Sequence, residues 1–186
     1  MKHILLAALA FAALPLAAHA DEQLSYSYVQ GGYLLSDFDA LPDAHGWGLS
    51  GSAALGSNFH VFGGWARQDF DGTSFHSNDW NVGGGFHTPL NPTTDFVANV
   101  GYRRVDSIGL SNDLKIYNGE VGVRSALAPQ FEGWALAGYE DGHNVNGSLY
   151  GKLGGQYKFG KNWGLVGEAK LSKDTNQYFV GPRISF

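Results

Sequence analysis

Cysteine is absent from all 186 residues, and the single methionine is the first residue. An exported chain without cysteine has no disulfide framework, so a packed core or a membrane must hold it together. Charge is scarce as well. Only 16% of the residues are charged, and a net charge of −5 with a pI of about 5.7 leaves no basic patch to neutralise phosphates, which argues against a nucleic-acid partner. After Ala20 no segment keeps the unbroken apolar length of the ~20 residues a spanning helix needs. If the mature chain sits in a membrane, it must therefore cross as a closed barrel. The length allows one domain.

The first segment has a separate purpose. Lys2 and His3 precede an apolar run from Ile4 to Ala18, and Ala18-His19-Ala20 closes it as an A-x-A site. This predicts a secretory signal peptide over residues 1–20, cleaved before Asp21, with the mature domain over 21–186. The apolar run is too short for a membrane anchor. The 27 glycines follow no triplet period and sit inside alternating apolar segments, where glycine marks bends or close packing.

Alternation with a period of two recurs along the whole mature chain. It is clearest in the last ten residues, where Tyr178, Val180, Pro182, Ile184 and Phe186 share one face opposite Phe179, Gly181, Arg183 and Ser185. Further back, Trp47, Leu49, Gly51, Ala53 and Leu55 oppose Gly48, Ser50, Ser52 and Ala54, and Phe59, Val61, Gly63 and Trp65 oppose His60, Phe62, Gly64 and Ala66. Large residues on one face against small or polar ones on the other is the pattern of a lipid-facing barrel. Short turns at Gly56-Ser57-Asn58, Pro89 to Pro92, Ala128-Pro129-Gln130 and Gly160-Lys161-Asn162 alternate with five polar loops, the fourth over Asp141 to Gly147. The first strand is predicted from Leu24 to Leu35, with a bend at Gly31-Gly32. The expected fold is all-β: a single antiparallel up-and-down transmembrane β-barrel of about ten strands, with eight the alternative. The facing of Phe131 to Tyr139 stays open, because Trp134 and Leu136 contradict Phe131, Ala135 and Tyr139.

Arg103, Glu120, Arg124, Glu168, Lys170 and Arg183 all fall on small-residue faces, which predicts a charge network in the lumen. A cation facing lipid would cost ~2–4 kcal/mol at the midplane. Such charges either plug the barrel by pairing or line a narrow water path. Acids such as Asp37, Asp43, Asp79, Asp106, Asp113 and Glu140 fall in or beside the longer loops, where they solvate the rim or bridge divalent cations to lipopolysaccharide. The short turns carry Lys158 and Lys161 instead. Trp47, Tyr102, Tyr117, Tyr139, Tyr157, Trp163 and Tyr178 lie near the ends of outward faces, as interfacial girdles do; a sugar-binding platform is the rival. No metal site or cofactor is expected, since His45, His60, His76, His87 and His143 lack ligand spacing. His76-Ser77-Asn78 and His143-Asn144 are the places nearest to a catalytic site. Asn78 and Val145 stand where the lipid A deacylase family has its nucleophilic serine, so no enzyme is expected.

Three resemblances extend this picture. The apolar file ending in Phe186 resembles the C-terminal assembly signal of Gram-negative outer-membrane barrels, implying the barrel-insertion machinery as a partner during biogenesis. LSYSYVQGGY (Leu24 to Tyr33), GSAALGSNFHVFGGW (Gly51 to Trp65), EVGVRSALAP (Glu120 to Pro129), GWALAGYEDG (Gly133 to Gly142), NWGLVGEAK (Asn162 to Lys170) and VGPRISF (Val180 to Phe186) resemble the outer-membrane family of Xanthomonas and Stenotrophomonas tied to the diffusible signal factor. The GGY after the first strand and the general size are also similar to OmpX/Ail-type small barrels. A monomer among outer-membrane lipid and lipopolysaccharide is expected, and the family resemblances imply an outer-membrane protein associated with vesicles. They further imply expression that follows quorum sensing and a link to motility, biofilm or virulence. They imply no catalytic residue.

Overall fold

The computed structural model describes residues 24–39, 41–107, 113–143 and 145–186. They form β1 (Tyr28–Phe38), β2 (Ala44–Leu55), β3 (Phe59–Phe70), β4 (His76–Asn91), β5 (Thr94–Ser107), β6 (Leu114–Ala128), β7 (Phe131–His143), β8 (Val145–Lys158), β9 (Trp163–Ser172) and β10 (Thr175–Ser185). Each strand pairs antiparallel with the next, and β1 pairs with β10, so an up-and-down barrel of ten strands closes with no free edge. The predicted signal peptide lies outside the described residues.

Alternation sets the facing. On β2, Trp47, Leu49 and Leu55 are exposed on the outer surface, while Ala44, Gly46 and Ser52 are buried inside. On β8, Leu149, Leu153 and Tyr157 face out, whereas Tyr150 and Gln156 are buried in the lumen. The apolar side chains are thus outside and the polar ones inside, the reverse of a soluble barrel and the arrangement that lipid solvates.

β7 shows why periodicity alone left its facing open. Phe131, Ala135 and Tyr139 face outward; Glu132, Trp134, Leu136 and Gly138 face inward. Trp134 is stable inside because its indole N–H donates to Glu168 Oε2 at 2.8 Å, and Leu136 packs against a small apolar cluster of Leu24, Tyr26 and Val97.

The seam between β1 and β10 requires two glycines. A Cβ on Gly32 would stand 2.2 Å from the Val180 carbonyl oxygen, and one on Gly181 would stand 2.1 Å from that of Gly31. Gly32 of the Gly31-Gly32 pair, with Gly181, therefore serves close strand approach at the closure, whereas a Cβ on Gly31 would meet only ordinary contacts at 3.5 Å.

Boundaries differ from the sequence expectation in three places, the smallest being the turn read over Pro89 to Pro92, whose Pro89, Leu90 and Asn91 end β4. β1 begins at Tyr28, not Leu24, because the chain before it turns into the lumen, where Leu24 and Tyr26 are buried. Hydrogen bonds from Phe186 N–H to the Ser27 carbonyl (2.9 Å) and from Ser25 Oγ to the Phe186 carbonyl (2.8 Å) anchor that turn to the end of the chain. At the opposite end, most of Asp141 to Gly147 is strand and not loop. Backbone pairing continues past an irregularity at Glu140/Gly142 to Gly142↔Val145, while Asn144 lies outside the described residues.

Candidate functional site in the barrel lumen

Every second residue of each strand points at the barrel axis, so a charge at such a position meets charges from strands far away in sequence. The result is three layers of paired groups. In the layer nearest the chain termini, Glu132 of β7 is shared by three cations. Arg124 Nη2 donates to its Oε1 at 2.6 Å, Lys158 Nζ lies 3.3 Å from Oε2, and Arg183 Nη1 lies 3.6 Å from Oε1. Arg183 also donates from Nε to Gln30 Oε1 at 2.8 Å, and its guanidinium sits 4.0 Å over the Tyr28 ring. Glu132, Arg124 and Arg183 are buried and would be costly there without their partners, while Lys158 is half-buried.

In the middle layer Glu120 accepts from Lys152 Nζ, Tyr150 OH and Asn99 Nδ2, each at 2.9 Å. Glu168 accepts from the Trp134 indole close by. The layer nearest the loops holds Arg103 between Asp79 (3.6 Å) and Glu140 (3.8 Å), with Lys170 donating to Glu140 at 2.6 Å. Lys170 Nζ also lies 4.2 Å from the Tyr150 ring centroid. Outside the lumen, Arg104 pairs with Asp106 at 2.9 Å and with Asp113, and His45 pairs with Asp71 at 2.8 Å. A cavity of ≈ 330 Å³ remains between the layers.

Arg103, Glu120, Arg124, Glu168, Lys170 and Arg183 all line this cavity. Sequence reasoning missed their partners. Glu132 was hidden by the undecided facing of β7. Lys158, read as a cation of a short turn, is instead the last residue of β8 and reaches inward to Glu132. Counting in twos from Tyr150 through Lys152 and Gln156 puts Lys158 on the inner face, a signal the sequence does carry. Asp79 and Glu140, grouped with the loop acids, turn inward from β4 and β7 to meet Arg103.

The remaining candidates are placed as follows. Tyr178, Val180, Pro182 and Phe186 are exposed on the outer surface, with Ile184 half-buried beside them. Trp47, Tyr117, Tyr139, Tyr157, Trp163 and Tyr178 are exposed outside, and Tyr102 packs between Trp80 and Tyr117. His76 stands opposite Asp69, and Ser77 is buried. Among the described residues no group of three His, Cys, Asp or Glu could hold a metal ion.

No protein-family model matches the sequence, and no curated protein matches it. Among solved structures the chain is similar to the KdgM porin, with 14% identity over 85% of this chain and 99% of that one and a TM-score of 0.50. It is also similar to OprG from Pseudomonas aeruginosa, at 13% identity over 89% of this chain and 99% of that one with a TM-score of 0.49. The third similar structure is Ail from Yersinia pestis, at 15% identity over 87% and 99% with a TM-score of 0.42. At such identities the likeness is one of fold, and with KdgM it spans nearly the whole of that chain: this protein has the architecture of a small outer-membrane β-barrel.

Proposed function

We propose that the protein is a plugged, non-enzymatic barrel of the Gram-negative outer membrane, acting as a monomer in a structural or cell-surface role. The observation that carries this is charge balance within the lumen. Arg103, Arg124, Lys152, Lys158, Lys170 and Arg183 are matched in number by Asp79, Asp95, Glu120, Glu132, Glu140 and Glu168, and each of the six cations lies within 4 Å of a carboxylate. Charges that satisfy one another leave little incentive for a stream of water and ions. The exposed apolar outer surface supports lipid as its solvent, with the rings at strand ends as headgroup girdles and the acidic rim beside lipopolysaccharide. The termini and short turns then lie on the periplasmic side. The C-terminal file supports handling by the barrel-insertion machinery.

Planar-bilayer recording at neutral pH tests the plug: silence is expected, and stepwise conductance would establish the pore reading favoured by the ≈ 330 Å³ cavity. Lipid A from cells with and without the protein should give identical mass spectra; a difference would reveal a lipid-modifying enzyme. The resemblance to the diffusible-signal-factor family supports quorum-regulated expression, vesicle association and a contribution to virulence, motility or biofilm. Protein levels that ignore removal of the signal would overturn that part.

A further inference from the structure

The loop rim is acidic, yet one side of the outer wall just beneath it is not. On β3, β5 and β6 the outward residue two places nearer the loops than a girdle aromatic is a cation: Arg67 beyond Trp65, Arg104 beyond Tyr102 and Lys115 beyond Tyr117. Trp80 of β4 stands opposite Trp65 on one side and Arg104 on the other, and Arg104 stands opposite Lys115. Tyr102 packs between Trp80 and Tyr117, which makes the rings a continuous band. Interfacial rings sit at headgroup depth, so these cations are level with the phosphates of surrounding lipid. Arg104 takes up Asp106 and Asp113. Its neighbours Arg67 and Lys115 are exposed, and among the described residues no carboxylate is paired with either. The two stand three strand spacings apart, about 14 Å of wall.

Below the same band the wall carries an apolar groove of ≈ 880 Å³ that crosses β3 to β7. Gly84, Ala98 and Gly119 are its low points, with exposed Phe59, Phe86 and Tyr139 standing beside them. The barrel does not demand the two glycines. A Cβ on Gly84 would meet nothing closer than 3.7 Å and one on Gly119 nothing closer than 4.0 Å, and neither has a positive φ. Larger side chains would fit at both places without moving a strand, so the trough is no by-product of strand packing, unlike Gly32 and Gly181 at the seam. Four residues of β6, about 13 Å of strand, lead from Lys115 past Tyr117 to Gly119. Cation, ring and trough thus follow one another down one wall in the order of a lipid's headgroup, interface and acyl chain.

We infer that β3 to β7 hold one phosphorylated lipid of the outer leaflet, with its headgroup phosphates on Arg67 and Lys115 and an acyl chain in the groove floored by Gly84 and Gly119. Charge complementarity names the occupant: phosphates answer two cations that no described carboxylate holds, whereas a wholly apolar partner would leave both cations bare. The spacing of Arg67 and Lys115 suits a headgroup with a phosphate at each end, which is that of a diphosphorylated glycolipid. The site rests on the outer-membrane reading above and adds to it the residues and the class of lipid.

Native mass spectrometry of the folded protein in detergent counts bound lipid, with bisphosphorylated lipid A, its dephosphorylated form and phosphatidylcholine as probes. All variants are first checked for the heat-modifiable gel shift of a folded barrel. The native protein should retain one lipid A in preference to either other probe. Arg67→Gln combined with Lys115→Gln should weaken lipid A about 30-fold, the equivalent of about 1 kcal/mol per cation at an anionic lipid surface, and should erase the preference for phosphate. Gly119→Leu should weaken lipid A and its dephosphorylated form by the same factor. Lys173→Gln, in the exposed turn between β9 and β10 on the opposite wall, should change nothing. Equal retention of the three probes, full binding by the double variant, or an equal loss in Lys173→Gln overturns the phosphate site, and undiminished binding by Gly119→Leu overturns the groove. Excess inorganic phosphate should leave lipid A bound; displacement would make this a free-ion site and overturn the lipid. Absence of the native protein from outer-membrane fractions would sink the location separately, because binding in detergent does not depend on it.

Discussion

The two ends of the lumen use the same chemistry in different surroundings. Near the termini, Glu132 is 1% exposed and is shared by Arg124, Lys158 and Arg183. Near the loops, Arg103 and Asp79 keep 23% and 22% of their side-chain surface, and Glu140 divides its contacts between Arg103 and Lys170. Coulomb attraction at 4 Å is about 1 kcal/mol in water and about 4 kcal/mol at the effective dielectric of a protein edge. Equal pairs are thus unequal in consequence: the lower layer fixes the barrel's interior, whereas the upper layer tunes its mouth.

The largest effect should come from removing the shared acid. Glu132→Gln leaves Arg124 and Arg183 buried beside no carboxylate of their own, which should destabilise the barrel by about 3–5 kcal/mol. Urea titration of the heat-modifiable band in detergent measures this. A loss below about 1 kcal/mol would mean that water or Glu168 takes over, and the two ends would no longer differ. Comparable damage is expected at the outer surface from Val121→Arg, at about 2–4 kcal/mol in lipid. In that experiment the neighbouring inward position, Glu120, is the reference, because the two residues share a strand and differ only in facing.

The middle layer should fall between. Lys152→Met removes the ion pair of Glu120 but leaves the hydrogen bonds from Tyr150 OH and Asn99 Nδ2, so a loss of about 1–3 kcal/mol is expected in the same titration. Glu120→Gln should cost no more, since its amide can still accept from Tyr150. If Lys152→Met instead matched Glu132→Gln, burial and not the number of shared cations would set the ranking.

Facing, closure and most of the lumenal cations were legible in the sequence, because a period of two is a direct consequence of the pleat. The exceptions share a cause. Trp134 reads as outward by hydropathy and is inward because one polar atom, its indole N–H, finds Glu168. Leu24 and Tyr26 read as strand and instead turn into the lumen, because the bond from Phe186 N–H to the Ser27 carbonyl and that from Ser25 Oγ to the Phe186 carbonyl set where β1 begins. Glu132 could not be placed until Trp134 was. In each case the deciding partner is distant in sequence, so no local pattern could show it.

The smallest effect belongs to the loop-side layer. Arg103→Gln takes one partner from Asp79 and from Glu140, but Lys170 still donates to Glu140 at 2.6 Å and solvent reaches the site. After screening, the expected loss is only about 0.2–1 kcal/mol. Salt gives the sharper readout. At 1 M ionic strength the Debye length shrinks to about 3 Å, so native protein and Arg103→Gln should converge in urea midpoint. Native protein and Glu132→Gln should stay apart under the same conditions, because salt does not enter the buried layer. Convergence of both pairs would show that water reaches Glu132 as freely as it reaches Arg103, and the lumen would then have to be treated as one continuous aqueous path.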